Sequence, residues 1–300
     1  MELSMARREF LRVAGFAATG SLWANTTQQP VRSPSASSTR PRLLVGCCAY
    51  SYEKYLSKGQ MTMEDFILKG VELGVHGVDI TTYWLKSTEP AYLASLRHLA
   101  YRNGLPFSGA AISTDMCQPD PAKRVQELEK IKRWVDVTDL LGASHLRVFG
   151  GNPPPGTSEA QGIQWVVETM RAACDYAGKK GITLGLESHG GITAKASTVV
   201  EILRRVDSPF AGMTLDISHF AEDPYAQIEA VIPYATQTHI KERFSSNNQS
   251  IDLERVFQRF ALAGYKGYMS AEYEGDEDPL TGVPKLIEQI RGLCRKYSRV

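Results

Sequence analysis

The sequence predicts a single (β/α)8 TIM barrel, an α/β fold, and three observations predict it. From about residue 42 onward, eight short apolar β-like runs alternate with longer segments of helical period, which is the pattern of a parallel α/β architecture. The alternation fills about 260 residues, the size of a closed barrel rather than of an open sheet. The last four runs each end in a side chain able to hold a metal ion, and period-two alternation turns all four to one face. A doubly wound open sheet is the structural alternative.

Taken in order, the first unit pairs a strand Leu43 to Cys48 with a helix Met63 to Leu73, opened by the capping-box pattern Thr62-x-x-Asp65. Strand Gly77 to Thr82 leads to helix Ala91 to Asn103, and Pro106 to Ile112 leads to Pro121 to Leu141. Strand Ser144 to Gly150 is followed by helix Glu159 to Lys180, and Thr183 to Glu187 by Ser197 to Val206. The last three units pair Gly212 to Asp216 with Tyr225 to Ile232, Thr236 to Lys241 with Leu253 to Ala263, and Gly267 to Glu272 with Val283 to Tyr297. Gly104, Gly142, Gly181 and Gly264 stand where helices end and a left-handed residue is wanted.

Upstream of the barrel the chain changes character. Residues 1 to 24 read as a twin-arginine signal peptide: Ala6-Arg7-Arg8-Glu9-Phe10-Leu11-Arg12 precedes a mildly apolar run, Val13 to Ala24, too short to span a bilayer. No cysteine follows that run closely, so no lipoprotein anchor is expected. Residues 25 to 41 are polar and rich in Pro and Ser with nothing to bury, hence a disordered linker. The expectation is a protein exported already folded to the periplasm, with residues 42 to 300 as its one catalytic domain.

The whole chain carries a formal charge of +1. Its first 42 residues are basic, so the barrel itself is slightly acidic and offers no general footprint for nucleic acid. Five cysteines, Cys47, Cys48, Cys117, Cys174 and Cys294, are odd in number and scattered. They read as buried apolar residues rather than a disulfide frame. Adjacent Cys47 and Cys48 point to opposite faces of a strand, so one of them lines the barrel interior.

Alternation sets the interior. With Leu184 and Leu186 outward, Glu187 faces in; with Met213 and Leu215 outward, Asp216 faces in. Ile240 outward leaves His239 and Lys241 inward, and Met269 and Ala271 outward leave Glu272 inward. Four consecutive strands thus deliver Glu187, Asp216, His239 and Glu272 to the end of the barrel where active sites are built. Three carboxylates around one point repel one another unless a cation compensates them. Three oxygen donors and one imidazole favour a fairly hard divalent ion, Mn2+, Mg2+ or Co2+, with Zn2+ also compatible.

These residues carry a family resemblance. Leu-Glu187-Ser-His-Gly-Gly, Leu-Asp216-Ile-Ser-His219-Phe and Thr-His239-Ile-Lys241-Glu resemble the fifth, sixth and seventh strand motifs of the xylose isomerase-like sugar phosphate isomerase/epimerase superfamily, and Glu272 in Ser-Ala-Glu-Tyr completes the set. By analogy with ketose 3-epimerases of that superfamily, the resemblance implies a metal-stabilised enediolate on a keto-sugar, with Glu187 and Glu272 moving the proton. It also implies a hydrogen bond from His219 to a substrate oxygen. The same enolate would serve a lyase or dehydratase acting on a 3-keto-glycoside or polyol, and export suits breakdown of imported saccharides. The superfamily's endonucleases resemble trinuclear zinc sites that need more ligands than six histidines and this acidic barrel supply.

Further candidates surround the four. Lys241 and the inward Arg147 would either hold substrate or pair with carboxylates. His189 follows the fifth strand, and Asp79 and His145 are weaker candidates. Tyr50, Tyr52, Tyr83 and Trp84 follow the first two strands, where rings stack on a sugar face or close the barrel top. The Gly150 to Gly156 segment reads as a loop or lid without the Gly-x-Gly-x-x-Gly phosphate fingerprint. A small carbohydrate and the twin-arginine export machinery are the expected partners, without a membrane anchor; homo-oligomerisation is left open. A non-catalytic carbohydrate-binding role would keep the fold without needing paired carboxylates around a metal.

Overall fold

The computed structural model describes residues 40–298. The expected signal peptide and nearly all of the expected linker lie outside them. Pro41, assigned to the linker from its composition, is already buried.

Eight parallel strands close on themselves in chain order: β1 (Arg42–Cys48), β2 (Gly77–Thr81), β3 (Phe107–Ala111), β4 (His145–Val148), β5 (Thr183–Glu187), β6 (Ala211–Asp216), β7 (Ala235–Ile240) and β8 (Lys266–Ala271). β1 pairs with β8, which closes the ring and rules out the doubly wound alternative. A 3-10 turn, Ala49–Tyr52, and one helical turn, α1 (Glu53–Leu56), follow β1. The helices that alternate with the strands are α2 (Met63–Glu72), α3 (Pro90–Arg102), α4 (Pro121–Leu141), α5 (Glu159–Gly178), α6 (Ala196–Val206), α7 (Pro224–Val231), α8 (Leu253–Leu262) and α9 (Pro279–Tyr297).

The core lies between the strands and the helix ring. Leu184, Leu186, Met213, Leu215, Ile240, Met269 and Ala271 are all buried there, facing outward from the barrel as alternation requires. The helix signals hold: Thr62 and Asp65 form a reciprocal capping box at the start of α2, and Gly142 takes a left-handed φ of 79° at the end of α4.

One helix starts earlier than the hydrophobic pattern suggests. α9 begins at Pro279, because the Asp278 side chain accepts the Leu280 N–H and Pro279 occupies the first turn, where its missing N–H costs nothing. Pro284, which pattern reading puts at the helix start, therefore lies inside it.

The strand ladders are not uniform. Between β6 and β7 the register runs Met213↔Ala235, then shifts, giving Thr214↔Gln237 and Asp216↔His239. Without the shift Asp216 would sit opposite Thr238. The irregularity is what sets two candidate metal ligands side by side.

Candidate active site

At the C-terminal mouth of the barrel, Glu187 and Asp216 are the last residues of β5 and β6, and His239 is next to last in β7. Glu272 follows β8 immediately. All four are buried, and each offers a ligand atom within 4.8 Å of the others. His239 Nδ1 stands 2.7 Å from Glu187 Oε1 and 3.3 Å from Glu272 Oε2, so the two glutamates approach it from different strands.

Two basic side chains enter the same cluster. Lys241 Nζ lies 3.0 Å from Asp216 Oδ2, 3.2 Å from Glu272 Oε2 and 2.8 Å from Glu274 Oε2. Arg147 Nε lies 3.2 Å from Glu187 Oε2, while its Nη1 donates to the Ile112 carbonyl at 2.9 Å and its guanidinium stacks 4.1 Å from the centre of the Phe149 ring. Lys241 and Arg147 therefore supply part of the compensating charge that pattern reading assigned to a metal. The case for a metal rests on the donors rather than on charge.

Their geometry fits one. Asp216 Oδ1 accepts the Ser218 N–H at 2.8 Å. Asp216 Oδ2 is sealed from solvent and accepts no well-aligned hydrogen bond, although Lys241 and His219 Nε2 stand 3.0 and 3.2 Å away. Lys241 and His219 compensate that oxygen's charge but no well-aligned donor fixes it, and a divalent ion held by three carboxylates and an imidazole is the partner such a donor set takes. The residues fit the group.

The electrostatics follow. Burial works against the charged forms of Asp216, Glu272 and His239. For Asp216, Lys241 and then His219 outweigh burial and hold the carboxyl well below its ordinary range. For Glu272, His239 and Lys241 do the same. For His239, the carboxylate of Glu272 leads in raising the imidazole well above its ordinary value despite burial.

The structure brings together Glu187, Asp216, His239, Glu272, His219, Lys241 and Arg147. His189, though exposed, reaches the same cluster: with Asp216 and His219 it offers donor atoms within 4.8 Å of one another, it stacks 4.3 Å from Phe149, and its ring lies 4.5 Å from that of His219. Tyr50 and Trp84 pack on one another at the rim, with ring centres 5.8 Å apart. Tyr52 is corrected: it is wholly buried against Phe66 and faces no ligand space. Asp79 and His145 lie within the barrel, where Ser108 and Gln237 donate to Asp79, and His145 Nε2 is 3.2 Å from Thr236 Oγ1. The Gly150 to Gly156 segment is tied down at its start, where the Met116 and Ile192 N–H groups donate to Gly150 and Gly151 carbonyls.

Sequence reading missed two residues. Glu274, two positions past Glu272 on the same face, pairs with Lys241; the spacing was the available signal. Phe149, which carries both Arg147 and His189, stands two positions past the inward Arg147, and the same spacing was its signal. A cavity of about 270 Å3 opens beside Lys241 and Glu274, lined also by Arg243, Ser245 and Asn248.

Residues 68–294 match the description of the xylose isomerase-like TIM barrel family. The chain belongs to that family. Among solved structures, a D-allulose 3-epimerase from Methylomonas sp. superposes with a TM-score of 0.68 at 20% identity, over 84% of this chain and 98% of its own. A D-psicose 3-epimerase determined in the presence of D-fructose gives 0.69 at 18% identity, over 85% and 99%. The probable 3-DHS dehydratase AsbF from Bacillus anthracis gives 0.67 at 16%, over 83% and 98%. Identities this low establish a shared family fold. No curated protein matches the chain in sequence.

Proposed function

We propose that this chain is a metal-dependent carbohydrate isomerase or epimerase that moves a proton on the carbon beside a carbonyl. The observation that carries the reading is the approach of Glu187 and Glu272 to His239 from different strands, inside a buried four-donor cluster. A divalent ion held by Glu187, Asp216, His239 and Glu272 would supply Lewis-acid polarisation of the carbonyl.

The chain's own residues supply the rest. One glutamate, as a carboxylate, takes the proton, the electron pair moves toward the carbonyl oxygen, and the other, first protonated from solvent, returns that proton to the opposite face and is left as a carboxylate. Arg147 orients Glu187 through its Nε contact. Lys241 offers positive charge where the oxygen becomes negative. His219, 3.2 Å from Asp216, is placed to donate to a substrate oxygen. Tyr50 and Trp84 offer an aromatic rim for a sugar face, and His189 a polar edge.

Elimination from a 3-keto-glycoside or keto-polyol is the second reading. The cavity beside Lys241 and Glu274 favours it, because it leaves room for a leaving group next to an ammonium whose charge and N–H groups can stabilise the departing oxygen. Export through the twin-arginine pathway, read from residues 1 to 24, belongs to the same proposal.

The test is to identify the metal of the purified protein and incubate it with ketohexoses and 3-keto-glycosides in deuterated water. Deuterium in the recovered sugar supports epimerisation or isomerisation, and a released leaving group supports elimination. Glu187→Gln and Glu272→Gln should each lower turnover by about a hundred- to ten-thousandfold. A protein that takes up no divalent ion would sink the reading.

A further inference from the structure

Cys48 ends β1 beside the strand that leads to Glu272, in a ladder where Cys47 pairs with Ala271. Its side chain is wholly buried. Sγ lies 3.6 Å from Glu272 Oε1 and 3.7 Å from Thr81 Oγ1. The other four cysteines are buried too, but Cys48 alone joins a metal-competent group among the described residues: with His239 and Glu272 it offers three donor atoms within 4.8 Å of one another.

That group shares His239 and Glu272 with the four-donor cluster, while Cys48 belongs to the first set only. The separation is also informative. A tetrahedral ion with sulfur at about 2.3 Å and oxygen at about 2.1 Å has a sulfur–oxygen edge of about 3.6 Å. Cys48 Sγ and Glu272 Oε1 already stand 3.6 Å apart, so no rearrangement of this pair is needed to hold such an ion.

We propose that Cys48, His239 and Glu272 form a second metal position, selective for a thiophilic ion such as Cd2+ or Zn2+, that shares an edge with the carboxylate-rich position and competes with it. The inference rests on the metal reading above through His239 and Glu272. A soft sulfur donor draws thiophilic ions, whereas Mn2+ and Mg2+ favour the oxygen-rich set. Binding replaces the Cys48 S–H bond with a sulfur–metal bond and releases the proton to solvent. The ion then sits away from Asp216, so a thiophilic ion occupies the protein without the donor set proposed for catalysis.

The experiment uses the full chain stripped with chelator and titrated with Cd2+, followed by ultraviolet absorption. The expected result is a thiolate-to-cadmium charge-transfer band that disappears in Cys48→Ser and persists in Cys47→Ser. Cd2+ affinity should fall at least about tenfold in Cys48→Ser, the lower end for losing even an outer partner, with Mn2+ affinity unchanged within about twofold. Cys48→Ala repeats the measurement if the hydroxyl disturbs the strand end. Cd2+ bound without a sulfur band, or a band that survives in both Cys48 variants, overturns the second position and leaves the four-donor reading standing. Failure of both Cd2+ and Mn2+ to bind overturns both.

Discussion

His239 concentrates the chemistry of the site in one imidazole. Glu272, then Cys48 and Glu187, raise its proton affinity well above the ordinary value although burial opposes the charge, a direction that favours the imidazolium while no metal is bound. A metal ligand must be neutral imidazole. Loading therefore releases about one proton per ion at pH 7, measurable as buffer-dependent enthalpy in calorimetric Mn2+ titrations. Buffer-independent enthalpy would contradict the assignment. Glu187, Asp216, His239 and Glu272 were legible in the sequence because strand alternation decides facing. Glu274 and Phe149 follow the same two-residue spacing but lie just past the ends of β8 and β4, where no ladder holds the backbone, so only the structure showed that they reach the site. Tyr52 misled for the same reason: past β1 the chain coils into a 3-10 turn that buries it.

Among the elements, β5 shows how sequence and packing divide the work. Gly185 faces inward, where a Cβ would collide with His145 and Thr214. The missing side chain is what lets a histidine from β4 fill the barrel. Gly185→Ala should cost about 1–3 kcal/mol, the usual penalty of overpacking a dense core, read by chemical denaturation; an unchanged midpoint would show that His145 has room to move. Most helix boundaries were legible because caps such as Thr62 and Asp65 are local. The start of α9 was missed because Asp278-Pro279 is a cap whose helix opens without an apolar run. The β6 to β7 register shift left no sequence signal, because a one-residue slip is decided by the neighbouring strand.

For the molecule as a whole, a polar barrel interior enclosed by apolar layers makes stability depend on acid. His145 is buried, and burial, then His239 and Arg147, push its imidazole down to about 3 from an ordinary 6.5. Between these values the unfolded chain binds a proton that the folded one refuses, so stability is full above the ordinary value and falls as pH drops through the window. The loss is on the order of 5 kcal/mol when the window is fully crossed. His145→Gln should flatten the slope of unfolding free energy against pH between about 6 and 4; an identical slope would assign the acid sensitivity elsewhere.

The sequence by itself determined that this is a closed barrel, which residues line its interior, and that three carboxylates and a histidine meet at one mouth. Periodicity and capping are local, and a barrel converts strand order into proximity. The tertiary structure alone decided that Asp216 faces His239 rather than Thr238, that Lys241 and Arg147 share the carboxylates with any metal, and that Cys48 comes within a ligand edge of Glu272. Those are distances between strands far apart in the chain, set by register and packing that no single segment encodes.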